Sequence, residues 1–295
     1  MSLLQSLLIQ KISEKKKTYF TKKIKLSPKD VLLVIDMQYD FMNCPDGDAE
    51  LCQGYISKLP TTDAVDIISC ILFLMHVFKS KKGFIIATRD YHPKGHVSFS
   101  SFDEHCIQGE RGSEIVEPIA DFIRKNPEIC DVSIKAFSKM VDSFGAFPYD
   151  SNKDGYAVSE TDGNTRINYT EKCKKDISNC FRKTGSFIIK NGVDYENEIT
   201  EIDDDSYLPL HYYLKNEKNV DVNKNSIYIC GVLGDFCVLD TARNARKTGY
   251  NNVYIVLDAI RSLVLEEKLY FTLDAWLKDS KEFGYKFCFI TQFDF

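Results

Sequence analysis

Val31-Leu32-Leu33-Val34-Ile35 decides the fold of this 295-residue chain. Five aliphatic residues in unbroken succession leave no polar face, so a strand made from them must be covered on both sides. The interior of a parallel sheet meets that condition. Further strands are read at Phe84 to Thr88, opened by Gly83, and at Asp131 to Lys135, Ser226 to Val232, Val253 to Leu257 and Tyr285 to Ile290. Helical periodicity falls between them. One helix runs from about Thr62 to Lys79, with Ile67, Ile68, Ile71, Leu72 and Met75 as its inner stripe. Others are expected at Ile115 to Lys125, at Cys237 to Thr248 with Gly249 as the stop, and at Leu265 to Leu277. Strand and helix alternate, which predicts an α/β fold. The expected architecture is three-layer and doubly wound, a mainly parallel six-stranded sheet with helices on both faces.

Working outward, residues 1–29 read as an N-terminal amphipathic helix with a basic tail (Lys15, Lys16, Lys17, Lys22, Lys23, Lys25), suited to surface packing or a dimer contact. A secretory signal would carry its charge first and end at small residues, so none is expected here. Residues 30–295 form one α/β domain. Its rhythm breaks from about 149 to 205, a polar stretch that includes Asp203-Asp204-Asp205 and too few apolar residues for its own core. This is expected to be an insertion, with Phe187-Ile188-Ile189 as a short strand inside it. The triplet reads as a solvated loop, since the alternation and glycine of a calcium loop are missing.

An apolar content of 44% supports a sizeable core, and 38 basic against 43 acidic residues give a formal charge of −5, which offers no nucleic-acid surface. No apolar run reaches membrane-spanning length. The ten cysteines are irregularly spaced with no CxxC pair, so free thiols in a reducing compartment are expected. The cytoplasm is the expected location, with the nucleus as the alternative, and the chain is expected to form a homo-oligomer.

Ligands of open parallel sheets bind beyond the carboxyl ends of the strands. Four such ends carry reactive groups: Asp36, Asp90 with His92, Lys135, and Cys237 a few residues past the fourth strand. Three of the five histidines, His92, His96 and His105, lie within fourteen residues. Asp90 and His92 at i, i+2 point the same way on a strand end. A carboxylate with imidazoles is a ligand set for zinc, iron or manganese. Taken alone, the run reads also as loop histidines beside a turn made by Pro93 and Gly95. Asp36 by itself reads as a turn cap, Lys135 as an edge lysine, and Cys237 as a small buried hydrophobe. Position argues otherwise for the thiol: it opens a helix, where free amides favour a thiolate. It also follows a glycine-containing turn able to aim N–H groups at an oxyanion. Base, cation and nucleophile together suit acyl transfer.

Six segments then resemble, in order, the motifs of nicotinamidases, which are isochorismatase-like cysteine hydrolases. They are Asp36-Met37-Gln38-Tyr39-Asp40-Phe41, Thr88-Arg89-Asp90-Tyr91-His92-Pro93, Gly95-His96-Val97-Ser98-Phe99, Lys135, Asp142-Ser143-Phe144-Gly145-Ala146-Phe147, and Gly231-Val232-Leu233-Gly234-Asp235-Phe236-Cys237-Val238. The match covers about residues 30 to 262 without the insertion. The resemblance implies a catalytic triad of Asp36, Lys135 and Cys237. It implies one divalent metal ion on Asp90, His92 and His105, zinc first and iron or manganese as alternatives, with His96 as an optional ligand. It places Phe41 and Phe102 as walls around a pyridine ring. It also implies a cis peptide at Val232–Leu233, with the backbone amides of Leu233 and Cys237 as the oxyanion hole. The implied activity is hydrolysis of nicotinamide to nicotinate and ammonia through a thioester, a step of NAD salvage. Alternatives are a relative acting on a ureido or carbamoyl substrate, or a non-catalytic binder of metal or nicotinamide. Three positions depart from the family pattern: Ala136 stands where glycine is usual, Phe144 replaces a tyrosine, and Phe236 stands where a polar or smaller aromatic residue is common.

Overall fold

In the computed structural model Val31–Ile35 forms β1, and all five residues are fully buried. The residues described are 23–43, 51–52, 54–149, 182–189, 206–262, 264–265, 268–269 and 273–293. The elements that follow are α1 (Ile68–Ser80), β2 (Phe84–Asp90), α2 (Glu117–Lys125), β3 (Cys130–Lys135), β4 (Ser186–Ile189) and β5 (Tyr207–Pro209). After them come β6 (Ser226–Gly231), α3 (Leu239–Lys247), β7 (Asn252–Ile260), β8 (Val264–Leu265), β9 (Lys268–Leu269), α4 (Leu273–Phe283) and β10 (Lys286–Cys288).

The main sheet has eight strands in the order β10-β7-β6-β1-β2-β3-β4-β5. β1 lies at its centre, parallel to β2 and β6, with Leu33 opposite Ile86 on one side and Ile229 on the other. From β1 the chain winds outward through β2 and β3, then returns to β6 and winds the opposite way through β7 and β10. Right-handed crossovers put the helices of the two halves on opposite faces. The contacts agree, since α1 packs with α2 and α3 with α4. The reversal between β1 and β6 opens a crevice at their carboxyl ends. Strand and neighbour come close there: a Cβ on Gly231 would lie 2.1 Å from the carbonyl oxygen of Ile35. Only glycine fits, and its φ of +109° suits no other residue.

Eight strands, not six, make the sheet. The two extra strands are antiparallel and extend its edge: β4 pairs with β3, and β5 with β4. β4 is the short strand expected inside the insertion. β5 is three half-buried residues, too short to leave a period in the sequence. The helix expected at 265–277 instead runs from Leu273 to Phe283, after the β8–β9 ribbon. Leu265, Leu269 and Leu273 fit a helical spacing, but Trp276 sets the helix by stacking on Phe287 of β10, with ring centroids 5.8 Å apart. Among the described cysteines six are free and Cys52 is disulfide-bonded, which corrects the expectation of free thiols throughout. Residues 1–22 of the expected N-terminal helix and basic segment, the acidic triplet and most of the insertion lie outside the described residues. Among those described, no helix is long and apolar enough to cross a membrane.

Candidate active site

Each strand end around the crevice delivers one reactive group. Asp36 follows β1 directly at a φ of +49°, a left-handed conformation that aspartate tolerates better than most residues. Lys135 closes β3 and Asp90 closes β2, so sheet register holds them side by side. Cys237 arrives from β6 through the cis Val232–Leu233 peptide and a π-helical turn, Gly234–Val238, that runs straight into α3. The amides of Phe236 and Val238 both donate to the carbonyl oxygen of Leu233, at 3.1 and 3.0 Å, and so curl the chain around the cysteine.

The structure brings Asp36, Lys135, Asp90 and Cys237 together in a water-excluded floor. Lys135 Nζ lies 3.0 Å from Asp36 Oδ2 and 3.8 Å from Cys237 Sγ, and it donates to Asp90 Oδ1. Lys135 and Asp36 are fully buried. Unpaired, such charges would each cost several kcal/mol. Burial pulls the Lys135 ammonium down, but Asp36 and Asp90 outweigh it and hold the group protonated well above its ordinary range. Burial pushes the Cys237 thiol well up, Lys135 opposes, and Asp36 and Asp90 push it further. Burial and the two carboxylates thus favour the protonated thiol, and for the sulfur to act as a nucleophile a nearby base would have to take its proton. Asp36 and Cys237 stand within reach, their ligand atoms lying within 4.8 Å of each other.

Asp90, His92 and His105 form a second group with ligand atoms within 4.8 Å of one another. Their donors are pre-sorted. His92 Nδ1 is 3.1 Å from the carbonyl oxygen of Ala136, and His105 Nδ1 is 2.6 Å from that of Asp103. Each ring must protonate Nδ1 to donate there, which leaves Nε2 as a bare lone pair. His92 Nε2 is buried with no hydrogen-bond partner and lies 3.8 Å from Asp90 Oδ2. Burial, with His96 and His105 adding, holds His92 neutral, and burial likewise lowers His105. Two neutral imidazoles and one carboxylate, with an orphaned lone pair among them, fit a divalent cation. Ala136 carries its carbonyl to His92 from a φ of +54°, where glycine would be free of strain.

His96 is placed differently. Its Nδ1 accepts from the amide of Ser98 and its Nε2 donates to the carbonyl oxygen of Val141, both at 3.2 Å. With both nitrogens occupied, it braces the site by stacking on His92, centroids 4.3 Å apart. His92, His96 and Asp142 do approach one another as a further group of candidate ligands.

Phenyl rings pack around the histidines. Phe41 and Phe102 lie 5.6 and 6.2 Å from the His105 ring. Phe99 touches all three imidazoles at 5.6 to 5.9 Å. Phe102, Phe144 and Phe236 meet edge to face at 5.6 to 6.3 Å. Phe99 was not anticipated, and the mutual contact of Phe144 and Phe236 needed the fold to appear.

Three polar supports were also missed. Thr88 Oγ1 donates to Asp36 Oδ1 at 2.6 Å and fixes that carboxylate. Gln38 donates from Nε2 to the carbonyl oxygens of Asp90 and Ser113 and accepts from the amide of Asp90, at 2.7 to 2.8 Å. Asp40 accepts from Tyr55 Oη, the amide of Lys58 and the amide of Cys106, at 2.7, 3.0 and 2.7 Å. It thereby ties the loop that carries His105 to the turn that carries Phe41. Gly112 makes room for it, since a Cβ there would fall 1.9 Å from Asp40 Oδ2. The signal was the alternate spacing of Asp36, Gln38 and Asp40 along one segment.

No family model matches the chain. The chain is 26% identical over 258 residues to a nicotinamidase of Acinetobacter baylyi, covering 81% of this chain and 84% of that protein. It is similar in structure to the pyrazinamidase of Pyrococcus horikoshii in complex with zinc. That likeness has a TM-score of 0.53 at 23% identity, over 89% of this chain and all of that one (100%). The yeast nicotinamidase bound to the inhibitor nicotinaldehyde superposes with a TM-score of 0.55 at 18% identity, over 90% of this chain and 100% of that one. An isochorismatase-like hydrolase of Alkaliphilus metalliredigens shares the fold at a TM-score of 0.52 and 17% identity, covering 90% of this chain and 97% of its own. The chain has the isochorismatase-like α/β fold.

Proposed function

We propose that this protein is a nicotinamidase, a cysteine amidohydrolase that converts nicotinamide to nicotinate and ammonia. The observation that carries the reading is the buried contact of Lys135 with Asp36, Asp90 and Cys237, directly beside the His92 and His105 lone pairs. The sequence likeness to the Acinetobacter baylyi nicotinamidase supports it independently.

Nicotinamide would sit between Phe41 and Phe102 with its carboxamide over Cys237. Holding the two reactants together in this way is worth up to about 7–11 kcal/mol of the barrier. Asp36 takes the thiol proton, and Lys135 stabilises the charges that result. Sulfur attacks the carboxamide carbon, an S–C bond forms, and the carbonyl electron pair moves to oxygen. The amides of Leu233 and Cys237 receive that oxyanion; each such donor is worth about 10²–10³ in rate. The pair then returns to carbon, the C–N bond breaks, and nitrogen leaves as ammonia with the proton held by Asp36. Water adds to the thioester as Asp36 takes one of its protons. When the C–S bond breaks, that proton returns to sulfur and nicotinate is released.

A divalent ion held by Asp90, His92 and His105, with zinc as the expected metal, would supply a Lewis acid for the ring nitrogen and so orient the substrate. The protein would act on a free small molecule, with the cytoplasm as its place of action and a homo-oligomer as its form.

Ammonia release from nicotinamide by wild type and by Cys237→Ala is the test. Wild type should turn over, and the variant should lose about 10⁴-fold or more in kcat while still binding nicotinamide. No release from metal-supplemented wild type would overturn the reading.

A further inference from the structure

A second cleft, of about 1130 Å³, shares no lining residue with the crevice and lies between α1, α2 and the end of β7. Val65, Ile68, Leu72 and Pro118 give it an apolar wall, and Arg261 stands at its inner side. Arg261 is 3% exposed. Its guanidinium is poorly satisfied: Nη1 donates to the neighbouring carbonyl oxygen of Ile260 at 2.9 Å, Nη2 reaches only to 4.0 Å from Asp66, and Nε has no hydrogen-bond partner. A buried guanidinium with an idle N–H edge is costly, and the planar fork it offers matches a carboxylate. The Asp66 side chain is 49% exposed, so it can swing into solvent and leave Nη2 to a ligand.

We infer that this cleft is a ligand site for a small monocarboxylate with an apolar, ring-sized body. The charge pattern selects a single negative charge. Arg261 is the cleft's one cation among the described lining residues, and Asp66, Glu117, Asp121 and Asp258 ring it, with Asp63 also acting on the guanidinium. One carboxylate can replace Asp66 on Arg261. A second negative charge, as in a phosphate ester or a dicarboxylate, meets Asp258 and finds no further cation to take it, because Arg124 and Lys125 are already paired with Glu117 and Asp121. The apolar wall then takes the hydrocarbon body.

The site would communicate with Cys237 through the backbone. The carbonyl oxygen of Arg261 accepts from the amide of Gly234 at 2.7 Å, and its own amide donates to Gly231 at 3.2 Å. A ligand on Arg261 thus touches the residue whose backbone braces both ends of the turn before the cysteine.

Titration calorimetry of the full chain with benzoate tests this without reference to turnover, so its outcome is separate from that of the nicotinamide assay. Benzoate also lacks the ring nitrogen and the amide of the proposed substrate. Saturable binding is expected, weakened about tenfold or more in Arg261→Gln, the loss of a charge-assisted hydrogen-bonded pair. Leu72→Glu, which adds a negative charge to the half-buried wall, should weaken it similarly and carries the test if Arg261→Gln does not fold. Phthalate should bind less tightly than benzoate. Absence of saturable benzoate binding to folded wild type, binding untouched by the substitutions, or phthalate binding as tightly as benzoate would each overturn the proposal.

Discussion

The floor of the crevice and its phenyl lip are built by different means. Floor residues sit on or directly after strands. Asp36, Asp90 and Lys135 end β1, β2 and β3, and their mutual placement follows from the parallel register that sets Asp90 opposite Lys135. The lip residues Phe41, Phe99, Phe102, Phe144 and Phe236 come from turns and loops, and His105 joins them from the same loop as Phe102. Those loops are held by scattered backbone hydrogen bonds, such as His92 to Cys106 and Ser186 to Ala146, and by single side chains such as Asp40. A rigid frame therefore carries the groups whose charges must meet within a few ångströms. Hydrogen-bonded loops carry the groups that shape binding. Changes to the floor should be all-or-none, and changes to the lip graded.

Removing the floor's cation is the most severe way to test the contrast. Lys135→Met leaves Asp36 and Asp90 buried without a partner, so unfolding free energy should fall by about 3–5 kcal/mol and turnover should vanish. Denaturant melts of the two proteins would check it. A variant as stable as wild type would mean that the carboxylates shed their charge at no cost and that the floor is not an electrostatic unit.

Loosening the lip's tether comes next. Asp40→Asn keeps size but weakens the bonds to Cys106, Lys58 and Tyr55. The His105 loop should lose its fixed position, and metal affinity, measured by chelator competition, should drop about 10–100-fold while the fold persists. Unchanged affinity would show that the loop holds itself.

The smallest change trims the wall. Phe102→Leu retains bulk but forfeits the edge contacts to Phe144, Phe236 and His105, worth about 0.5–1.5 kcal/mol per pair. KM for nicotinamide should rise roughly two- to tenfold, with kcat within about twofold. A collapse of kcat with KM unchanged would place Phe102 in the chemistry and erase the distinction between floor and lip.

The same division explains what could be read before the fold was known. Strand-borne groups are legible because a buried strand announces itself by composition, and a reactive residue at its end is then placed by the geometry of parallel sheets. The antiparallel edge was less legible. β4 showed as three apolar residues in a polar stretch, whereas β5 is half-buried and carries no alternation. The start of α4 was misplaced by eight residues because leucine spacing there suits helix and ribbon alike until Trp276 finds Phe287. The role of Asp40 was hidden for a related reason. Its three donors are 15, 18 and 66 residues away, and one of them needs Gly112 to leave a gap.

By itself, then, the sequence determined the α/β class, the central buried strand, and the ordering of Asp36, Asp90 and Lys135 on strand ends with Cys237 a few residues past the fourth, since these follow from local periodicity and from rules of chain handedness. Only the tertiary structure decided which nitrogen of each histidine is free, that both nitrogens of His96 are taken, that Phe144 and Phe236 meet over the site, and that Arg261 lies buried with an idle edge. Those facts depend on hydrogen bonds and packing between residues far apart in the chain, and no local pattern encodes which distant carbonyl or ring will be the neighbour.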